Sequence, residues 1–371
     1  MNLFSKRINR ETTIPAHTQV RTEILDLIRE GILRVGEKLP PEPEIAQRLG
    51  VSRMTANKAI LALVGEGLLT REKGRGTFVT EGRPAKLQRC IVAIPEDLST
   101  ALDNYYFGAL YWAVHSELQG RGVTVGVERL SSSISEQVTG GPDCGFIVIS
   151  PTESSLEDLL AFSRQGSPLV ILGASWGDYG FNLVDSDNFL GSALAVNHLA
   201  DLGHRRILFI GAAPDSSNTV DRVRGFRLAM KGRQIPLQDG DVWVIDHTEG
   251  LDTAAENILS ALLVKEHRPT AIVAAGPVLA MQVLSVAQKC GLNIPEDLSI
   301  VGYDDPTFLK LAYPPITTIR QPLATMARSA CNLLLNRLES RDPRAAKEVL
   351  DPELIIRSTT CVPPLSSSEE S

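Results

Sequence analysis

The chain has 371 residues, 43 % of them hydrophobic, and a formal net charge of −7. No apolar run is long enough to span a membrane, and no secretory leader opens the sequence. The five cysteines (Cys90, Cys144, Cys290, Cys331, Cys361) have neither disulfide-framework nor metal-ligand spacing. These features argue against a membrane protein or a disulfide-stapled scaffold, and a cytoplasmic chain of two or three domains with reduced thiols is expected.

The charge is unevenly divided. Residues 1–82 hold 13 Lys and Arg against 10 Asp and Glu, whereas 83–371 hold 24 against 34. A mildly basic head on an acidic body confines any attraction to phosphate to the head.

In chain order, residues 1–12 are polar, carry Lys6, Arg7 and Arg10, and read as a flexible N-terminus. Thr18 to Leu33 places Val20, Ile24, Leu27, Ile28 and Leu33 at helical spacing, and Gly36 to Pro40 is a stop and turn. Glu42 to Leu49 is a second helix ended by Gly50, which can take the left-handed conformation. Ser52 is a good N-cap for a third helix, whose Ala56, Ala59, Ile60 and Leu63 make one inward face. Its other face shows Arg53, Met54, Asn57 and Lys58, side chains suited to base edges and phosphates in a major groove. Leu68 to Arg71 and Thr77 to Thr80 are short strands around a basic tip, Lys73-Gly74-Arg75-Gly76. Three helices and a two-stranded wing over 13–80 make a winged helix-turn-helix. The tip can reach a minor groove or its flanking phosphates.

This segment resembles the GntR family of bacterial regulators. The matching residues are Ile28, Gly31, Leu33, Gly36, Leu39-Pro40, Glu42, Ala46, Leu49 to Arg53, Thr55, Ala59, Leu63, Glu66 to Leu69 and Gly76 to Val79. The resemblance implies that Ser52, Arg53, Thr55 and Asn57 face double-stranded DNA, with Lys73, Gly74 and Arg75 on the wing. Pro43 stands where many members have a base-contacting Arg, and Pro41 replaces a capping Ser. Both prolines are tolerable in a first helical turn.

Residues 81–89 contain Gly and Pro without periodicity and read as a linker. From Cys90 onward short apolar runs alternate with helical ones. Strands are expected at Ile91–Ile94, Val123–Val127, Gly145–Ile149, Leu169–Leu172, Ile207–Ile210, Val242–Ile245, Ala271–Ala274, Ser299–Val301 and Thr317–Ile319. Helices are expected at Tyr106–Gln119, Ser155–Gln165, Gly191–Leu202, Val220–Lys231, Thr253–Lys265, Leu279–Lys289 and Leu323–Leu338. This alternation predicts an α/β fold, parallel sheets covered by helices, divided over 90–360 into two lobes with a cleft at the strand ends. Residues 361–371 read as a disordered tail.

The body resembles the effector domain of the LacI/GalR family, itself similar to periplasmic sugar-binding proteins. The carrying residues are Val184, Asp187-Asn188 and Gly191; His198-Leu199 and Leu202 to Ile207; Arg222 to Phe226; Pro269 to Ala271; Leu298 to Asp305; and Pro314 to Ile319 with Gln321. The joined modules resemble arabinose-repressor-type transcription regulators. That resemblance implies a dimer held by the body, binding operator DNA and released by a small-molecule effector, expected to be a sugar. Arg222 is then the ligand arginine, Asp304 its acidic partner and Gln321 a further ligand. Tyr105, Tyr106 or Phe107 could wall the site. Gly276-Pro277 stands where the family has Asn-Asp, so a purine or other polar metabolite, or corepression, stays open. His198 and His204 tempt toward metal, but capping and packing explain them better. No cofactor or metal is expected. No nucleophile, base and orienter assemble into an enzyme site, and a transport-type receptor is at odds with the DNA-binding head.

Overall fold

We analysed a computed structural model, which describes residues 4, 8, 15–65, 67–80, 87–95, 102–130, 143–164, 168–176, 180–246, 250–340 and 345–364. The head contains α1 (Ala16–Arg29), α2 (Glu42–Leu49), α3 (Arg53–Gly65) and the antiparallel wing β1 (Leu69–Glu72) and β2 (Gly76–Val79). Gly50 takes φ 72° and ends α2, and the Thr55 amide donates to Ser52 Oγ at 3.1 Å, capping α3 as expected. Val20, Ile24, Ile45, Leu49, Ala56, Ile60 and Leu63 form the core of the head.

α1 is shorter than the sequence reading, which ran to Leu33. Gly31 at φ 70° breaks it, and Leu33 reaches the same core from the following turn. Of residues 1–12, read as a flexible N-terminus, Phe4 and Ile8 are described, and both depart from that reading. Phe4 is buried in the head core, and the Ile8 amide donates to the Leu49 carbonyl at 3.1 Å.

The body has two six-stranded sheets. The first lobe contains β3 (Arg89–Ile94), α4 (Tyr105–Gln119), β4 (Thr124–Arg129), β5 (Cys144–Ile149), α5 (Leu156–Arg164), β6 (Leu169–Leu172) and β7 (Asn182–Ser186). The chain then enters the second lobe with α6 (Asn188–Asp201), β8 (Ile207–Ala212), α7 (Ser217–Gly232), β9 (Val242–Ile245), α8 (Thr253–Leu263) and β10 (Ala271–Ala274). It continues there with α9 (Pro277–Lys289), β11 (Ser299–Tyr303), α10 (Thr307–Leu311) and β12 (Thr317–Arg320). It returns to the first lobe for α11 (Leu323–Ser340) and β13 (Lys347–Leu350), then crosses again to β14 (Glu353–Ile355).

The strand orders are β13-β7-β6-β5-β3-β4 and β14-β12-β11-β10-β8-β9. All pairings are parallel except β12 with β14. The central strands are apolar and buried on both faces, as parallel sheets between helices require. The chain therefore passes between lobes three times, near 187, 321 and 351. The first and third passages are tied, since the Asp187 amide donates to the Leu350 carbonyl at 2.8 Å.

The body is longer at both ends than 90–360. Leu87 is buried in the first lobe, and Gln88 donates to the Asp143 carbonyl, so the linker reading over 81–89 fails at its end; 81–86 lie outside the described residues. Cys361, read as tail, is docked: its amide donates to Ser299 Oγ at 3.1 Å, and its carbonyl lies 2.9 Å from His204 Nε2. Residues 365–371 lie outside the described set. His204 also lies 2.9 Å from Thr270 Oγ1 and 3.0 Å from Ser299 Oγ, and burial holds its pKa low. It is a polar clasp, and no metal-binding cluster occurs among the described residues.

Candidate DNA-binding face and effector cleft

On the head, Ser52, Arg53 and Lys58 are exposed along α3, with Thr55 and Asn57 half-buried. Lys73, Gly74 and Arg75 are exposed at the wing tip, where Gly74 takes φ 79°. The face is cross-braced. Glu42 binds Arg71 on the wing and lies 3.8 Å from Arg53 Nε, while Arg71 donates to Asn57 Oδ1 at 3.2 Å. Arg75 pairs with Glu72 and lies over the Phe78 ring. Sequence reasoning named the cations but not the acid that holds them. Glu42 was visible only as a motif residue.

The cleft is built from strand ends and from the opening turns of α7. Arg222 is buried on α7, one helical turn after Asn218, so both project from one face. Its guanidinium stacks on Tyr303, with Cζ 3.7 Å from the ring centroid. Nε donates to Asn188 Oδ1 at 2.8 Å and Nη1 to the Ala275 carbonyl at 3.0 Å. Arg222 therefore does not serve as a surface ion pair. Asp304 closes β11 at φ 67° and is buried. It does not cap α10, whose N-cap is Pro306; instead its Oδ1 accepts from Gln321 Nε2 at 2.7 Å. Burial raises the Asp304 pKa against the pull of Arg222.

Tyr106 enters from the first lobe. Its hydroxyl donates to the Gly173 carbonyl at 3.4 Å, and burial raises its pKa. Tyr105 faces Asp304, Asp305 and Arg320, and burial, then those acids, push its hydroxyl up to about 12. Phe107 packs in the first-lobe core and does not line the cleft. The fold thus brings Arg222, Asp304, Gln321 and Tyr106 together, with Tyr105 beside the two acids.

Several residues here escaped sequence reasoning. Asn188 accepts from Arg222 and Tyr303 and donates to the Ser186 carbonyl and to Asn218 Oδ1. Asn218 Nδ2 donates across the cleft to the Gly173 carbonyl at 3.1 Å. Ser175 on the first lobe donates from Oγ to Asp221 Oδ2 at 2.6 Å and from its amide to Ser217 Oγ at 3.1 Å. Asp185, at the end of β7, is buried as well. The spacing of Asn218 to Arg222 was a usable signal; Ser175 and Asp185 meet the site only through the sheet order. Asp305, next to Asp304, is spent on structure, bonded to Arg320 and, at 2.6 Å, to Arg357. A Cβ added at Gly276, beside the Ala275 carbonyl, would meet Leu279 Cδ1 at 3.8 Å, an ordinary contact.

Comparison with known proteins matches both modules. Residues 16–79 match the model of bacterial regulatory proteins of the gntR family, and 196–360 match the periplasmic binding protein-like domain. The chain is 30 % identical to the arabinose metabolism transcriptional repressor of Geobacillus stearothermophilus, over 95 % of this chain and 99 % of that protein. It is 32 % identical to the transcriptional repressor PurR of Haemophilus influenzae over 56 % of this chain and 61 % of that one. Among solved structures, a LacI-family regulatory protein from Chloroflexus aggregans superposes with a TM-score of 0.65 at 28 % identity, covering 73 % of this chain and 98 % of that one. No described helix is long and apolar enough to cross a membrane. The chain therefore belongs to the transcriptional repressor family in which a gntR-type winged head is joined to a LacI-like, periplasmic binding protein-like body.

Proposed function

We propose that this regulator represses carbohydrate-utilisation genes and leaves its operator when a free sugar occupies the interlobe cleft. The observation that carries the reading is the cleft itself: a buried guanidinium stacked on Tyr303, with Asp304, Gln321, Asn188 and Asn218 converging on it. Sugars are bound by such planar polar groups, which reach neighbouring hydroxyls in pairs, and by aromatic rings under their apolar faces. The arabinose named for the Geobacillus relative makes pentoses the first class to try.

Ser52, Arg53, Thr55, Asn57 and Lys58 on α3 are assigned to the major groove, and Lys73, Gly74 and Arg75 to the adjacent phosphates or minor groove. The active unit is a homodimer, whose two heads meet the halves of a palindromic operator. The body offers apolar side chains to a second copy: Leu311 and Tyr313 are 79 % and 89 % exposed, with Phe308 beside them. A ligand shifts operator affinity only by binding one lobe arrangement better than the other. No catalytic step is assigned to the chain.

The test is a gel-shift titration of the full chain on its own promoter fragment, at several salt concentrations, with and without sugars. Salt-sensitive binding that a sugar relieves is expected. A strict monomer with no promoter affinity would refute the proposal. Arg222→Ala should keep operator binding and lose the sugar response, whereas loss of operator binding would give Arg222 a structural role.

A further inference from the structure

Two buried polar atoms at the cleft stand without partners. Asp185 is 1 % exposed; its Oδ1 accepts the Ser186 amide at 2.8 Å, but Oδ2 has no hydrogen-bond partner among the described residues. Gln321 is buried too, at 4 %. Its Nε2 is committed to Asp304, and its Oε1 likewise lacks a partner. Buried acceptors without donors are costly, and proteins keep few of them. Two at one cleft point to a ligand that brings hydroxyl or amine donors.

The charge around them narrows the ligand. Asp185, Asp304 and Asp221 share this region with two cations, Lys347 and Arg222, and the Nε and Nη1 of Arg222 already serve Asn188 and Ala275. The opening turn of α7 is occupied by contacts to the first lobe through Ser217 and Asn218. A phosphate ester brings about −1.5 to −2 charges into a site where like charges are poorly screened.

We infer that the cleft is built for an uncharged, hydroxyl-rich ligand and selects against its phosphorylated or acidic forms. Asp185 enforces this through its ionised form, which a ligand hydroxyl donating to Oδ2 stabilises and which repels anions. The inference rests on the sugar-responsive reading above and specifies its ligand. Burial, reinforced by Asp221 and opposed by the Ser186 amide, Arg222 and Lys347, pushes the Asp185 carboxyl up to about 7, in keeping with a site unfinished without its ligand.

The experiment is calorimetric titration of the full-length wild type and Asp185→Asn with free aldopentoses and aldohexoses, arabinose included, and with arabinose 5-phosphate and arabinonic acid. Wild type should bind at least one free sugar and bind its phosphate or acid at least 30-fold more weakly. In the variant, affinity for the free sugar should fall about 10- to 100-fold, the range for a hydrogen bond to a charged group, and the gap to the anionic forms should narrow. Operator binding by the same preparation certifies that the variant is folded, and Asp185→Ser provides a second replacement. Tighter binding of the phosphate or acid by wild type would overturn the inference and leave the repressor reading intact. So would an unchanged preference in both variants. If no compound in the panel binds or alters operator affinity, the sugar-responsive reading fails and the inference with it.

Discussion

Replacing Asp185 with Asn should stabilise the ligand-free protein at neutral and alkaline pH and leave it nearly unchanged near pH 4. Burial is the main reason the carboxyl titrates at about 7 instead of its ordinary 3.8. The groups facing it are Arg222 and Asp221 on α7, Lys347 on β13, Tyr106 on α4 and Tyr303 on β11. A shift of about three units corresponds to about 4 kcal/mol, an order-of-magnitude ceiling. Between about pH 4 and pH 7 the folded protein keeps a proton that the unfolded chain has released. This group's contribution therefore falls as pH rises through that window and is flat above it. Asn cannot ionise, so the stability difference, variant minus wild type, should grow toward about 4 kcal/mol at pH 8 and vanish near pH 4. That is several degrees of melting temperature for a body of this size. Thermal melts of both proteins without ligand, from pH 5 to pH 9 at fixed salt, measure it. A difference independent of pH, or a variant weaker at pH 8 than at pH 5, would refute the reasoning. The latter would mean that the carboxylate is charged and well paired.

Asp305→Asn should cost about 3 kcal/mol in urea unfolding, because it removes the buried negative charge and turns one of the two oxygens that accept from Arg357 and Arg320 into a donor. Although burial opposes ionisation of Asp305, those two arginines hold its pKa below the usual carboxylate value, so its stabilising effect fades as pH drops into the acid range; a cost under 1 kcal/mol would disprove the clamp. Gly276→Asn should fold within about 1 kcal/mol of wild type, because Gly276 is the N-cap of α9, has extended backbone and has space around it. If the added amide reaches the ligand, free-sugar affinity should rise about 5- to 10-fold; a folded variant with unchanged affinity would place Gly276 outside the ligand's reach. Arg53→Ala should weaken operator binding by about 1–3 kcal/mol if the side chain reads a base; an unchanged footprint would remove it from that role.

Where apolar runs were continuous, the strands were legible. Leu169–Leu172 and Ala271–Ala274 lie where the sequence places them, because strands buried on both faces are apolar throughout; Val242–Ile245, a half-buried edge strand, also lies where its apolar run places it. The three missed strands are mixed in polarity. Asn182–Ser186 starts and ends polar, Lys347–Leu350 alternates at a sheet edge, and Glu353–Ile355 is only three residues long. Missing them hid two of the three passages between lobes and, with them, Asp185. Arg222, Asp304 and Gln321 were found through family motifs. Asn188 stands in a motif, but its role depends on Tyr303 and Arg222 arriving from a distant strand and helix. Ser175 and Asp221 lie 46 positions apart, and no local pattern links such a pair. The buried Phe4 shows the opposite failure: a polar stretch concealed one anchoring ring.

Neither half of the body is a contiguous stretch of the gene. The first sheet is completed by β13, and its helical cover by α11, both encoded after nearly all of the second sheet. A truncation at Ser186 would strip β7 of its outer neighbour and expose the apolar face on which Met326, Ala330 and Leu334 lie. On the ribosome, the earlier sheet must wait incomplete until the 160 residues between Ser186 and Lys347 have been made. Chimaeras meant to retarget the response should therefore exchange residues 87–364 as one block, with the join made upstream of Leu87.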